Sequence, residues 1–281
     1  MNLIAKRTLP RLWLAATEHL VDCNGADFDV FLNAADPTVY ETGDREVVAL
    51  VDGFFKAAGG LRLETVAETI FPMSYYRRNG TTGLFEQYPA AMQKIRGVRA
   101  SDRAWGTYAL RLVSPRTDGK NRTYVPLQAT VAKLKAQSRY VATHELNLGP
   151  IEEDIEIYQP DTDRNRPYGG PCLSHLSFKI DDGHIRLNAT YRSHFYVQRL
   201  LGNLLGLTYL QIFIAKECRL KVGPLTINST YATLDTLPAR AACGRKGWSK
   251  RDIKTLIASC KSVYAKQAEP ATSDRPMPSD A

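Results

Sequence analysis

A cysteine, an arginine–serine pair and a lone amide stand where one short stretch of chain could bring them together: Cys172, Arg192-Ser193 and Asn203. Segments 174–180 (SHLSFKI) and 185–191 (IRLNATY) alternate in the manner of strands, and Asp181-Asp182-Gly183 between them is a hairpin turn signal. With Asp182 and Gly183 as the loop residues, uninterrupted pairing sets Cys172 opposite Ser193 and beside Arg192. A neighbouring guanidinium favours the thiolate, the nucleophilic form of cysteine, and an Arg–Ser pair can receive a phosphate. The face formed by Cys172, Ser174, Leu176, Phe178 and Ile180 runs from polar to apolar, which suits a nucleophile at a pocket mouth. The same residues also fit an inert core cysteine and a surface arginine.

Asn203 sits in Leu-Leu-Gly-Asn-Leu-Leu, and a buried amide without partners costs about 1–3 kcal/mol per unmet group. Its partner is either protein backbone or a ligand, and a pyrimidine edge offers the matching donor and acceptor. Helix-start amides after Ser193 would add to an anion site. Glu68, among Val66, Ala67, Ile70 and Phe71, is a candidate general acid or base raised by burial, or else a helix-surface carboxylate. The histidines at 19, 144, 175, 184 and 194 show no metal spacing, so no metal is expected, and there is no glycine-rich phosphate loop.

Around these residues the chain has the makeup of a globular protein. Of 281 residues, 44% are hydrophobic and 23% charged, with a net charge of +8 that suits an anionic partner without specifying one. Five cysteines form no CxxC pair and suggest a reducing compartment; with no signal peptide or membrane span in view, the expected location is cytoplasmic. Helical spacing runs over 11–21, 45–58 (closed by Gly59-Gly60), 63–71 and 87–97, with an irregular acidic segment between the first two. Residues 107–115 and 122–147 suit strands, although the middle of the latter could be helical. The stretch 196–218 is apolar nearly all round and reads as a buried central helix, and 221–234 beyond it reads as a turn and then a strand. The expected architecture is α+β: a mostly antiparallel or mixed sheet packed on a long buried helix. One domain would span 1–240, with a basic helix over 241–265 and a disordered tail over 266–281.

Pro171-Cys172, a strand, an Asp-Gly turn, a strand ending Tyr-Arg-Ser and an Asn eleven residues beyond the arginine resemble the core of thymidylate synthase and its pyrimidine hydroxymethylase relatives. The stretch 171–223 follows that pattern without a gap, including Phe178, Ala215, Cys218 and Gly223. Weaker likenesses lie upstream: Glu68 in AETIF resembles the family's catalytic glutamate, Trp105-Gly106 a Tyr-Gly of the active-site wall, and Ser138-Arg139 a Ser-Arg-Arg that reaches a partner subunit's phosphate.

The resemblance implies that Cys172 attacks C6 of a pyrimidine nucleotide and makes C5 a nucleophile toward a one-carbon unit carried by 5,10-methylenetetrahydrofolate. Arg192, Ser193 and a partner's Arg139 would hold the 5′-phosphate, Asn203 would read the base, Trp105 would line the site and Glu68 would manage proton transfers. A homodimer and a C5 methyltransferase or hydroxymethyltransferase of nucleotide biosynthesis are implied. The chain departs from the family at Leu173 (His), Phe195 (the Asp that contacts the pterin), Leu201-Gly202 (Pro-Phe), and Thr233 and Asp235 (the His and Tyr on the sugar hydroxyl). Those departures leave a second reading open, a nucleotide-binding protein without catalysis, and a pyrimidine within a larger molecule such as nucleic acid also stays open.

Overall fold

The computed structural model describes residues 2–98, 107–136, 140–148 and 172–268. Its centre is a seven-stranded mixed sheet made of β1 (Asn2–Lys6), β2 (Ala26–Ala34), β5 (Glu145–Asn147), β6 (Leu173–Asp181), β7 (His184–Tyr191), β8 (His194–Phe195) and β9 (Lys221–Thr233). The order is β1-β2-β9-β7-β6-β5, with β8 joining β9; β3 (Arg116–Thr117) and β4 (Thr123–Tyr124) form a separate hairpin. Pairs β2/β9, β6/β7 and β5/β6 are antiparallel, whereas β1/β2, β7/β9 and β8/β9 are parallel. The α+β architecture with a mixed sheet is therefore as expected.

One face of the sheet is apolar. Leu225 and Ile227 on β9, Leu187 and Ala189 on β7, and Val30 and Leu32 on β2 are buried there. Against that face pack α1 (Leu9–Asp22) and α8 (Leu201–Cys218), and α2 (Asp44–Ala58), α3 (Leu63–Glu68) and α9 (Lys250–Ala268) pack on these in turn. The opposite face carries Asn33, Asn188, Thr190, Thr226 and Asn228, half-buried or exposed. This alternation is what a two-strand period produces when a single side is buried.

The helix α8 is the expected buried core helix, apolar on every side, and the donors of Gln211 and Thr208 in its interior are paired, while Gln211 Oε1 is buried with no partner among the described residues. Gln211 Nε2 donates to the carbonyls of Ile185 and Gly223 at 2.6 and 2.9 Å, and Thr208 Oγ1 donates to Leu204 O at 2.8 Å. Two glycines let α3 lie directly on α8. A Cβ at Gly202 would stand 2.5 Å from Val66 Cβ, and one at Gly206 would stand 2.6 Å from the Ala67 carbonyl oxygen. The helix is shorter than the 196–218 expected, because Tyr196–Leu200 is a single π turn leading into it.

Three further expectations are corrected. Residues 107–115 are not a strand: Leu110 N–H donates to Thr107 Oγ1 at 3.1 Å, and this N-cap opens α6 (Tyr108–Val113). Within 122–147 the middle, left open as helical, is α7 (Pro126–Ala136), and among the described residues strand is confined to β4 and β5. The acidic stretch after α1 contains β2, whose alternation begins only at Val30, beyond a polar Ala-Asp-Phe-Asp opening. Helix α4 (Met73–Thr82) and a π turn precede α5 (Tyr88–Val98), which occupies the stretch 87–97 read as helical. Of the basic helix expected over 241–265 only the part from Lys250 is helical as α9, with Ala241–Cys243 a short 3-10 turn; Ile253, Leu256, Ile257 and Cys260 of α9 are buried on the α1–α2 side. Most of the expected tail, 269–281, lies outside the described residues.

Candidate functional site

The β6–β7 hairpin turns through Asp182 and Gly183, both with positive φ (45° and 70°), as the Asp-Asp-Gly sequence requires. Pairing follows the expected register from Asp181↔His184 to His175↔Thr190 and then shifts, so that Leu173 pairs with Tyr191. The extra residue is Ser174, whose Oγ donates to Thr190 O at 3.1 Å. This bulge corrects the expected pairing in a useful direction. Cys172 lies opposite Arg192 rather than Ser193, and Arg192 N–H donates to Cys172 O at 2.9 Å. It also turns Leu173 into the core and leaves Cys172 half-buried at the strand's end.

Two cations act on the Cys172 thiol, Arg192 and Arg199, yet burial outweighs them and holds the thiol above its ordinary pKa. The expectation that the cation beside it would make it a ready thiolate is corrected on that balance. Arg192 is exposed and Ser193 half-buried. Arg199 was not foreseen. It projects from the π turn, a local widening frequently found at functional sites, and burial lowers its pKa while Tyr108, Asp235 and Cys172 raise it. Beside the thiol stand two phenols, Tyr108 and Tyr191, each raised chiefly by burial and each within reach of the Cys172 charge. Leu173 N–H donates to Tyr108 Oη at 3.3 Å, and the Tyr191 hydroxyl, wholly buried, has no hydrogen-bond partner among the described residues.

Asp235 closes the far side. Val197 and Gln198 amides donate to its carboxylate at 2.9 and 3.2 Å, and burial pushes its pKa up to about 6. The helix-start amides expected to attract a ligand anion are thus already capped by a protein carboxylate.

Asn203 is buried, as expected, and its partner is a side chain. Asn203 Nδ2 donates to His194 Nε2 at 2.9 Å; His194 Nδ1 lies 3.0 Å from Ser229 Oγ, which also accepts from Tyr196 Oη at 3.2 Å. Burial pulls the His194 pKa down to about 3, so the ring is neutral and can accept from the amide. Tyr191 stacks on His194 with ring centroids 4.0 Å apart. A continuous wall therefore runs from Cys172 through Tyr191 and His194 to Asn203.

Glu68 ends α3. Its two oxygens accept from the Ser74 amide and hydroxyl at 2.9 and 2.8 Å, and burial raises its pKa, as foreseen. The charges acting on it are Glu64 and Arg77, and neither Arg192 nor Arg199 is among them. Arg139 and Trp105 lie outside the described residues. Of the residues picked out from sequence, Cys172, Arg192 and Asn203 come to one side of the β6–β7 end, and Glu68 stands on the helix that crosses α8. Tyr108, Tyr191 and Arg199 were missed, and His194 and Asp235 were named without these roles; the signal for Arg199 and Asp235 was a single charge within an apolar run (YVQRLLG and ATLDTL).

A separate 380 Å³ cavity lies between the α1–β2 turn and α9, lined by Asn24, Gly25, Lys250, Arg251 and Lys254 among others, and shares no residue with this wall. Among the described residues, no helix is long and apolar enough to cross a membrane.

No family model matches the chain. Two proteins described as "Putative thymidylate synthase", from Methanothermobacter thermautotrophicus and Methanothermobacter marburgensis, are 39% and 36% identical to it over 62 residues. The match takes in 22% of this chain, and the chain spans 28% of the length of these curated relatives. Among solved structures, the chain is similar to thermostable thymidylate synthase A from Bacillus subtilis, with a TM-score of 0.49 and 11% identity, covering 89% of this chain and 84% of that one. Over those 62 residues the chain is similar to proteins described as putative thymidylate synthases.

Proposed function

We propose that this thymidylate-synthase-like chain binds a pyrimidine nucleotide at the β6–β7 end and activates its C5 through an adduct of Cys172 at C6. The observation that supports this best is a half-buried thiol on which the charges of Arg192 and Arg199 both act, with Tyr191, His194 and the buried amide of Asn203 following inward from it. A phosphate near Arg192 and Ser193 would set the base beside Cys172. The thiol first gives its proton to solvent, and Sγ then bonds to C6 while the 5,6 electron pair moves toward C5 and O4. C5 takes a proton from solvent, later releases its original hydrogen, and the re-formed double bond expels the sulfur. Neutral His194 fixes one donor of Asn203, which leaves its other N–H and its carbonyl to meet the base.

A one-carbon electrophile captured at C5 in place of that proton would give the methylated or hydroxymethylated product. The residues do not fit methylenetetrahydrofolate in the family's manner. Where the family has the pterin-contacting aspartate stands Phe195, 46% exposed, which offers no acceptor to a pterin's N–H groups. No step is derived through folate. A homodimer is proposed on the polar sheet face bearing Asn188, Thr226 and Asn228, where Asn228 Oδ1 is buried without a partner; a monomer in sedimentation at micromolar concentration would remove it. A reducing, cytoplasmic setting fits the free thiols at Cys23, Cys172, Cys218 and Cys260.

The test is tritium release from 5-tritiated UMP, dUMP, CMP and dCMP. Release with one of them, lost in Cys172→Ser while the nucleotide still binds, is the expected result. Binding that is abolished by Arg192→Ala and indifferent to Cys172→Ala, with no release from any substrate, would establish the non-catalytic binder instead. Indifference to both substitutions would end both readings.

A further inference from the structure

At the opposite end of α1 from its packing on α2, three side chains direct soft and borderline donor atoms to one point. His19 lies in the last turn of α1, Cys23 caps that helix four residues on, and Asp27 returns on β2. Between them Asn24 and Gly25 take positive φ (58° and 102°), the tight reversal that folds β2 back beneath the helix end. His19 Nε2 lies 2.7 Å from Asp27 Oδ2, Cys23 Sγ lies 3.6 Å from His19 Nε2, and one ligand atom of each residue falls within 4.8 Å of the others. All three are half-buried.

The same three residue types could form a nucleophilic Cys-His-Asp relay, and the geometry argues against it. In a relay the sulfur and the carboxylate use opposite ring nitrogens, so that a proton can cross the imidazole. Here both approach Nε2; the sulfur is 4.0 Å from Nδ1, farther than from Nε2. Convergence on one nitrogen is useless for proton relay and is what a shared cation needs. Around a tetrahedral zinc ion with bonds of about 2.0–2.3 Å, donors stand roughly 3.4–3.6 Å apart. The sulfur–nitrogen distance already has that value, and the nitrogen–oxygen pair needs to open by about 0.7 Å once a metal replaces the shared proton. The carboxylate is also pre-aimed: the Phe28 amide donates to Asp27 Oδ1 at 2.8 Å, and Asn2 Nδ2 donates to Oδ2 at 2.7 Å. Such outer contacts commonly hold metal ligands in place.

We propose that His19, Cys23 and Asp27 form a zinc site with one position left to water. Nitrogen, sulfur and carboxylate donors together suit Zn²⁺ better than the oxygen-seeking Mg²⁺ or Ca²⁺. The ion would pin the end of α1 to the start of β2, away from Cys172, so this site stands or falls independently of nucleotide chemistry. The expectation of no metal was drawn from isolated histidines; the helical His19–Cys23 spacing completed by a strand residue after a turn is the pattern it overlooked.

The test uses the full chain stripped with chelator, dialysed against Zn²⁺ and assayed for bound metal, with Co²⁺ as a spectroscopic probe. One zinc per chain, a melting temperature that rises with Zn²⁺ concentration, and a sulfur-to-cobalt charge-transfer band are expected. Cys23→Ser should abolish the band and weaken zinc binding at least tenfold, and His19→Gln should weaken it likewise, with circular dichroism confirming that each variant is folded. If a variant unfolds, reaction of the wild-type Cys23 with a thiol reagent takes over the test, and zinc should suppress it. No zinc uptake, uptake unchanged in both variants, or Cys23 reactivity indifferent to zinc would overturn the proposal.

Discussion

At the scale of single residues, the contest at Cys172 is between two arginines and burial, and burial wins. The thiol is therefore largely protonated at neutral pH, and its reactivity should climb about tenfold per pH unit through neutrality. Iodoacetamide labelling of the Cys172 peptide, followed by mass spectrometry against pH, should give a midpoint above that of an ordinary thiol. Arg199→Gln removes a charge that stabilises the thiolate, so the midpoint should move further up; a midpoint below the ordinary value, or one unmoved by the substitution, would contradict the assignment. Sequence placed the sulfur near a cation because Asp-Gly turns fix register. It could not weigh burial against charge, since burial is set by Leu173, Tyr108 and Tyr191, which arrive from three separate elements. Asn203 shows the same limit: its burial was legible from Leu-Leu-Gly-Asn-Leu-Leu, whereas its partner His194 belongs to a two-residue strand with no periodicity to read.

At the scale of elements, the position of Asn203 depends on how closely α3 can approach α8. Gly206 faces the Ala67 carbonyl oxygen, an atom of the main chain that cannot rotate away. Gly206→Ala should therefore destabilise the protein by about 1–3 kcal/mol, the usual cost of overpacking, despite alanine's better helix propensity. Urea denaturation measures it, and unchanged or increased stability would show that the two helices are not in such contact. The long elements were legible because their periodicity extends over several turns: α1, α2, α8 and the β6–β7 hairpin. Residues 107–115 were misread because a six-residue helix is too short to display a period, and Thr-Tyr-Ala-Leu-Arg-Leu-Val has strand-like composition. The cap from Thr107 decides it, and a cap is visible only once the hydrogen bond is. The bulge at Ser174 interrupts the alternation, since Leu173 and Leu176, three residues apart, are both buried, and the expected face of Cys172, Ser174 and Leu176 passed over that spacing.

At the scale of the molecule, the mixed sheet gathers the hairpin that carries Cys172 and the buried helix at one end. The parallel pairing of β7 and β8 with β9 places Tyr191 and His194 beside Ser229, and Asp235 follows at the end of β9 to cap the π turn. The central claim is that the sulfur, the guanidinium groups and the buried amide serve a single phosphorylated pyrimidine. A crystal structure of Cys172→Ser soaked with the nucleotide that binds most tightly tests this most directly. The account predicts the phosphate against Arg192 and Ser193, with C6 of the base facing the side chain at position 172. A nucleotide seated instead in the basic cavity of Lys250, Arg251 and Lys254, or one whose base points away from position 172, would contradict it.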